Sequence, residues 1–196
     1  MQIDRRHVLL AGAATLASGT VAAATLWRKP DVPIATLIEL DAPALRPLGR
    51  ILPSDRPAAP PPAGFTDADG KAMTLGSYAG HGLVVNLWAT WCAPCVAEMP
   101  ALQEASRKLA ADGILVLPLS SDRGGTAVVR RFYEAHAITG LPILLDPRGD
   151  AGRSWGARGL PTTLLIDRRG QERARLEGGF DWSADAALAT VRSLLG

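Results

Sequence analysis

Short apolar runs alternate with segments of helical periodicity along the second two thirds of the chain. Residues 83–88 form a nearly continuous apolar run, which is typical of a strand covered on both faces. The next segment repeats apolar residues at three- and four-residue steps, which predicts a helix that ends at Gly113. The alternation continues with a predicted strand over 114–119, a helix around 128–136 and a short strand over 143–145.

Two hairpins and a last helix complete this pattern. Residues 65–75 predict a small hairpin because an Asp-Gly turn divides them. The segments 162–166 and 172–176 flank a second turn, and a final helix is predicted to begin near Ser183, a good capping residue. Strands that alternate with helices, followed by a hairpin and a helix, predict an α/β fold with a central mixed β-sheet flanked by helices.

The amino terminus has the pattern of an export segment. A short head contains Arg5 and Arg6, and residues 8–27 follow without a charge, so we predict that residues 1–27 are an export signal or an N-terminal membrane anchor. The arginine pair resembles a twin-arginine signal, or it simply supplies the positive charge of any signal head. Three alanines at 22–24 offer a cleavage site, whereas twenty apolar residues could span a bilayer core of about 30 Å, so cleavage and anchoring both stay open.

Proline content separates this leader from the rest of the chain. Nine of the fifteen prolines fall between positions 30 and 62. Proline removes backbone donors and disfavours helix, so residues 28–62 are predicted to be an extended, proline-rich linker. The remaining residues, 63–196, are predicted to form the α/β domain.

Charge and cysteine content exclude several functions. The net charge of +2, with no block of like charges, argues against nucleic-acid binding. The chain has only two cysteines, Cys92 and Cys95, whereas a small secreted domain that is stabilised by disulfides needs more. A zinc site would need His81 and His136 as well, without the usual histidine spacing. We therefore predict no metal site.

The two cysteines lie where a buried strand gives way to a helix. There the Cys92 sulfur would lie near unpaired N–H groups and the positive end of the helix dipole, which predicts a thiol pKa below about 8.5. Cys95, one turn further, is predicted to be more buried and to resolve mixed disulfides. Pro94 suits a first helical turn. A structural disulfide across four residues would stabilise the fold by only about 2 kcal/mol, whereas one that closes a loop of 100 residues contributes about 4.7 kcal/mol. The short spacing therefore favours a redox role.

The segment 83–100 (LVVNLWATWCAPCVAEMP) resembles the active-site segment of the thioredoxin superfamily, and most of all its TlpA-like exported branch. The similarity runs over about residues 62–196. Trp91 stands before the first cysteine as in thioredoxins, and Pro100 matches the proline that kinks the first helix of that fold. Residues 159–163 (GLPTT) match the stretch that carries the cis-proline of the family.

This resemblance implies a substrate-binding site around the disulfide. It places Pro161, in the cis form, beside the cysteines, and an X–Pro bond adopts that form at a cost of only about 0.5–1 kcal/mol. The preceding residue of the family offers backbone groups to a bound substrate strand. The predicted substrate-binding residues are Trp91, Pro94, Leu160, Pro161 and Thr162.

Glu98 is the predicted proton acceptor. Ordinary thioredoxins carry a buried aspartate where this chain has Asn86, and an amide cannot accept the proton of the resolving thiol. Glu98 follows Cys95 by three residues and so lies on a neighbouring helix face, and TlpA-like relatives also carry a glutamate there. If partly buried, its carboxyl would have a raised pKa and could move the proton. The alternative is an exposed glutamate stabilised by the helix dipole.

The resemblance implies a periplasmic disulfide reductase that acts on exported proteins, such as apocytochrome c or metal-centre assembly factors. A membrane reductant would supply electrons, and no organic cofactor is expected. Two alternatives stay open. One is an oxidant or isomerase of the same fold, although Ala93 and Pro94 carry no group that would further stabilise a thiolate. The other is a Cu(I)-binding assembly factor that uses both thiolates, for which neither His81 nor His136 is an obvious further ligand.

Overall fold

The computed structural model of the protein describes residues 51–196. They form an eight-stranded mixed sheet with the strand order β1-β8-β7-β4-β5-β6-β2-β3. Helices pack on the sheet, and short 3-10 turns cover Leu75–Tyr78 and Ala110–Asp112. The elements in chain order are β1 Ile51–Ala58, β2 Phe65–Asp67, β3 Ala72–Met73, β4 Gly82–Trp88, α1 Ala93–Leu109, β5 Ile114–Ser120, α2 Gly125–Ala135, β6 Leu144–Leu145, α3 Asp150–Ser154, β7 Thr162–Ile166, β8 Glu172–Glu177 and α4 Asp185–Leu195.

The central strand β4 is buried along its whole length. It pairs in parallel with β5 and antiparallel with β7, so it has a neighbour on each side. Because successive strand residues point to opposite faces, its side chains divide between two hydrophobic clusters. Val84 and Trp88 join the first cluster, and Leu83, Val85 and Leu87 join the second. This explains why residues 83–88 are apolar without alternation.

The first cluster lies under three helices. Helix α1 supplies Cys95, Met99 and Leu102 to it, and α2 and α4 add apolar side chains of their own. The second cluster is covered by the short helix α3 and by Trp155. A sheet with helical cover and buried apolar residues on both faces is the α/β layer arrangement that the sequence predicts.

The predicted linker over 28–62 is wrong for its last part. Residues 51–58 form β1, which pairs antiparallel with β8 at the edge of the sheet. Pro53 and Pro57 lie within this strand. An edge strand tolerates proline because one of its sides has no ladder hydrogen bonds to make, so proline density alone did not exclude a strand. Residues 28–50 lie outside the described residues.

Most other predicted elements are confirmed within a residue or two. The exceptions are α3, which was not predicted, and the cap of α4, which is not Ser183. That helix begins at Asp185, with Ala184 as its N-cap residue, because the hydroxyl of Ser183 donates to the carboxylate of Asp181. The predicted export segment over 1–27 lies outside the described residues. Within residues 51–196, no helix combines the length and the apolar character that a membrane span requires.

Candidate active site

The two cysteines form a disulfide at the start of α1. Cys92 is the N-cap residue of that helix and Cys95 lies in its first turn, with their Cα atoms 5.2 Å apart. Cys92 keeps 7% of its surface exposed, whereas Cys95 is fully buried at 0%. The prediction that the second cysteine is the more buried one is therefore confirmed. Only Cys92 reaches the surface, so an incoming thiol or disulfide would meet Cys92 first.

The electrostatic setting of Cys92 favours a thiolate. Its backbone carbonyl accepts from the Val96 N–H at 3.0 Å, whereas no side chain caps this helix end. The first turn of α1, all of it within the described chain, holds no acidic side chain. Pro94 occupies the second helical position, where a missing N–H removes no hydrogen bond. The positive end of the dipole therefore acts on the Cys92 sulfur without a competing carboxylate on this turn.

A buried aspartate holds the loop that carries the cysteines. The carboxylate of Asp122 accepts from the Thr90 N–H at 2.9 Å and from the Thr90 hydroxyl at 2.7 Å. It also accepts from the Ser120 hydroxyl at 2.8 Å. This contact was not predicted from the sequence. The sequence did contain an indication of it, because Asp122 directly follows β5. Strands β4 and β5 are parallel, so their carboxyl ends lie at the same edge of the sheet, where the loop with Thr90 begins.

The loop before β7 has the cis-proline that the family resemblance implies. The Leu160–Pro161 peptide bond is cis, and the Pro161 carbonyl accepts from the Gly178 N–H. Leu160 is half-buried and packs against both hydrophobic clusters, one of which contains both cysteines. Within residues 51–196, neither backbone polar group of Leu160 has a hydrogen-bond partner. Thr162 is buried and donates its hydroxyl to the Gly159 carbonyl at 2.7 Å, so its side chain supports this loop.

Glu98 is buried, not exposed, with only 3% of its surface accessible. One carboxylate oxygen accepts from Asn86 Nδ2 at 2.7 Å. The other accepts from the Phe180 N–H at 3.0 Å and from Trp182 Nε1 at 3.3 Å. Burial raises the pKa of Glu98 above its ordinary value of 4.5, and the hydrogen bonds from Asn86, Phe180 and Trp182 offset part of that rise. The exposed-glutamate alternative is therefore wrong.

Asn86 completes this buried network. Its amide nitrogen donates to Glu98 and also to the Thr163 hydroxyl at 3.0 Å. Its oxygen Oδ1 is buried and has no partner among the described residues. Asn86 thus takes the place of the aspartate of ordinary thioredoxins without adding a second negative charge beside Glu98. Phe180 and Trp182 were not predicted, because more than 80 residues separate them from Glu98 in sequence.

Trp91 is strongly exposed. At 70% exposure it is the one large hydrophobic side chain that faces solvent among the side chains whose burial the structure describes. It lines a groove together with Leu160 of the cis-proline loop. Pro94 and Glu98 line a second groove with Phe180. Four of the predicted site residues therefore line two separate grooves, and the other four line neither.

The two histidines contact backbone carbonyls. His81 Nδ1 lies 3.3 Å from the Gly113 carbonyl, and His136 Nδ1 lies 2.9 Å from that of Phe132. The His136 ring also stacks on Phe132. Among the described residues, no group of three or more His, Cys, Asp or Glu side chains is arranged to hold a metal ion.

Comparison with known proteins relates this site to redox proteins. Residues 58–174 match the family model described as the AhpC/TSA family. The thiol-disulfide oxidoreductase ResA of Bacillus thuringiensis subsp. konkukian is 33% identical over 113 residues, which cover 58% of this chain and 64% of the relative. ResA of Geobacillus thermodenitrificans is 32% identical over 114 residues, with the same two coverages. The chain thus spans slightly less than two thirds of these curated relatives.

Solved structures share the fold. A thiol:disulfide interchange protein DsbE from Chlorobium tepidum is 26% identical with a TM-score of 0.64, and the match covers 72% of this chain and 99% of that one. The exposed lipoprotein thioredoxin Etrx1 from Streptococcus pneumoniae is 28% identical with a TM-score of 0.57, at 68% and 99% coverage. The predicted thioredoxin-like fold, with its central mixed sheet flanked by helices, is therefore confirmed.

Proposed function

The chain belongs to the AhpC/TSA family of the thioredoxin superfamily, and on this premise we propose that it is a thiol:disulfide oxidoreductase that reduces disulfides in exported proteins. The pair Cys92 and Cys95 carries the proposal. One sulfur reaches the surface at the positive end of a helix, and the other is buried within disulfide distance of it. Such an arrangement suits a nucleophile and a resolving thiol.

The reaction begins from the reduced dithiol. The Cys92 thiolate attacks one sulfur of the target disulfide, the target S–S bond breaks, and the departing sulfur takes up a proton. Cys95 then loses its proton and attacks the Cys92 sulfur, which releases the second target sulfur as a thiolate that is also protonated. The target gains two electrons and two protons, and the protein ends as the Cys92–Cys95 disulfide. An electron donor must then return both electrons and both protons.

Glu98 is proposed to accept the proton of Cys95. It follows Cys95 by one turn on the same helix, and both residues are buried. Because the pKa of the Glu98 carboxyl is raised, it lies closer to the pKa of a thiol. A smaller difference between the two pKa values suits proton transfer from Cys95 to Glu98. Glu98 also lines the groove of about 410 Å³ between Pro94 and Phe180, which gives its proton a route to solvent.

The target chain is proposed to bind against Trp91 and the cis-proline loop. The free N–H and C=O of Leu160 are suited to pair with an extended segment, as in strand addition. The exposed ring of Trp91 adds apolar contact beside Cys92. Pro161 and Thr162 hold the loop in place, and Pro94 borders the opposite side of the cysteines.

Export and partners are proposed from the amino terminus and from the family resemblance. Residues 1–27 would direct the protein to the periplasm, by a twin-arginine or an ordinary signal, and residues 8–27 would serve as an anchor if they are retained. Apocytochrome c and metal-centre assembly factors are the proposed substrates, with a membrane protein as the electron donor. The similarity to a lipoprotein described as exposed supports this location.

Trapping of mixed disulfides tests the proposed function. In the Cys95→Ser variant the second attack cannot occur, so targets should remain bound to Cys92 and appear as adducts under non-reducing conditions. Mass spectrometry of the adducts identifies the targets. The matched variant Cys92→Ser should accumulate none. Equal trapping by the two variants, or none by either, contradicts the assigned roles.

The direction of electron flow has its own test. Equilibration with glutathione should give a reduction potential near that of thioredoxin, about −270 mV, because the uncharged Ala93 and Pro94 add no stabilisation to the thiolate. A value near that of DsbA, about −120 mV, would instead make the protein an oxidant.

A further inference from the structure

The groove beside Trp91 is lined by basic side chains. It has a volume of about 310 Å³ and is lined by Trp91, the residue before Cys92, and by Leu160, the residue before the cis-proline. Four arginines and no acidic residue are among its lining residues. They are Arg123, Arg148, Arg153 and Arg158. Because the net charge of the whole chain is only +2, this local concentration of arginine is a property of the groove and not of the protein as a whole.

The carboxylates that pair with the lining arginines are fewer than the arginines. Asp150 pairs with both Arg148 and Arg153, and Glu177 pairs with Arg158. Arg123 is exposed and has no ion-pair partner within residues 51–196. Four guanidinium groups therefore share two carboxylates.

Two further carboxylates near the groove are buried and do not line it. Asp122 accepts hydrogen bonds from Thr90 and Ser120, and Asp146 accepts from the N–H groups of Asp150 and Gly152. Both are thus engaged by groups of their own loops and are buried, so the charged side chains that a ligand in the groove would touch are the arginines.

We infer that this groove selects targets that carry acidic residues next to the cysteine under attack. This inference rests on the proposed function, because it concerns the target chain that binds at Trp91 and Leu160. A bound segment would place its flanking side chains among the arginines, and guanidinium groups bind carboxylates with paired, directed hydrogen bonds. A basic flank would be repelled by the same groups. The substrate class is therefore an acidic segment around a disulfide, held at its backbone by Leu160.

Three peptides test this inference. Each contains the same internal disulfide, flanked by glutamates, glutamines or lysines. The reduced protein is mixed with each peptide, quenched with acid and analysed by mass spectrometry. The rate of reduction of each peptide by the protein is divided by its rate of reduction by dithiothreitol. This corrects for the effect of the flanking residues on the reactivity of the peptide disulfide itself. The glutamate peptide should react at least tenfold faster than the lysine peptide in about 0.02 M salt, and the ratio should fall several-fold in about 0.5 M salt.

Two arginine variants test whether the preference for the glutamate peptide arises in the groove. Arg123→Gln should lower the glutamate-to-lysine ratio about fivefold, as expected for one charge pair at about 4 Å near water. Arg130→Gln removes the same charge from an exposed position on α2 that does not line the groove, and should leave the ratio unchanged. Equal corrected rates for the three peptides, or the same effect from both variants, overturn the inference alone. Failure to reduce any peptide overturns the proposed function and the inference with it.

Discussion

Replacing Glu98 by glutamine removes a charge from a buried hydrogen-bond network of the site. The carboxylate accepts three hydrogen bonds, from Asn86, Phe180 and Trp182, at 2.7–3.3 Å. Glutamine keeps one acceptor oxygen, but its new amide nitrogen must face a neighbouring donor. The unpartnered Oδ1 of Asn86 can receive that nitrogen if the Asn86 amide turns over. We therefore expect Glu98→Gln to fold, with a loss of about 1–3 kcal/mol at low pH.

The loss of unfolding free energy caused by Glu98→Gln should become smaller as pH rises. Because burial raises the pKa of Glu98, the folded protein retains a proton above pH 4.5 that the unfolded chain has released. The wild-type free energy of unfolding therefore falls through the window between pH 4.5 and the raised pKa, by at most about 1.4 kcal/mol per pH unit from this group. The variant lacks this dependence. Urea unfolding of both proteins between pH 4 and pH 8 measures the difference.

The kinetic effect should appear in the second step of the reaction. Without a carboxylate to accept the Cys95 proton, release of the target should slow about 100-fold near pH 7, the lower end of what a general base contributes. The mixed disulfide at Cys92 should then accumulate in quenched-flow samples. The two proteins should converge above about pH 9, where an ordinary thiol ionises without help.

Glu134→Gln is the matched control for this experiment. Glu134 is exposed on α2, so its substitution should change neither stability nor rate. If the pH profile of target release in Glu98→Gln superimposes on that of the wild type, Glu98 does not accept the proton.

Two further substitutions test the surroundings of Cys92. Trp91→Ala should change the free energy of unfolding by less than about 0.5 kcal/mol, because the ring is 70% exposed, but should slow reduction of a protein disulfide about tenfold; an unchanged rate would remove the ring from the binding surface. Asp122→Ala leaves the donors of Thr90 and Ser120 without their acceptor, so it should lower the free energy of unfolding by about 2–4 kcal/mol in urea titrations. A loss below about 0.5 kcal/mol would show that the loop keeps its conformation without Asp122.

The sequence predicted the central sheet because the strands there are apolar runs bounded by turns. β4, β5 and β7 are buried on both faces, so their composition differs sharply from that of the segments between them. The helix after Cys92 was predicted for the same reason, since one of its faces is apolar. β1 was missed because its prolines match a linker, and α3 because five residues are too few to show a helical period.

From the pattern of residues alone, the site was predictable only where its residues are close in sequence, and the cis-proline loop was predicted through the family resemblance. Cys92, Cys95 and Glu98 lie within two turns of one helix, and their order along the chain suggested their roles. Two of the three donors to Glu98 come from the segment after β8, and tertiary packing alone brings Phe180 and Trp182 to it. The basic groove is likewise assembled from separate loops, so the scattered arginines of the sequence gave no sign of it.

The titration of Cys92 is the most direct test of the account, because every step depends on a thiolate at the start of α1. The rate of alkylation of the Cys95→Ser variant by iodoacetamide is measured between pH 4 and pH 10, beside an unstructured peptide with the sequence Trp-Cys-Ala-Pro. The protein should titrate with a pKa at least one unit below the peptide value of about 8.5. A midpoint equal to that of the peptide, or above it, would contradict the account.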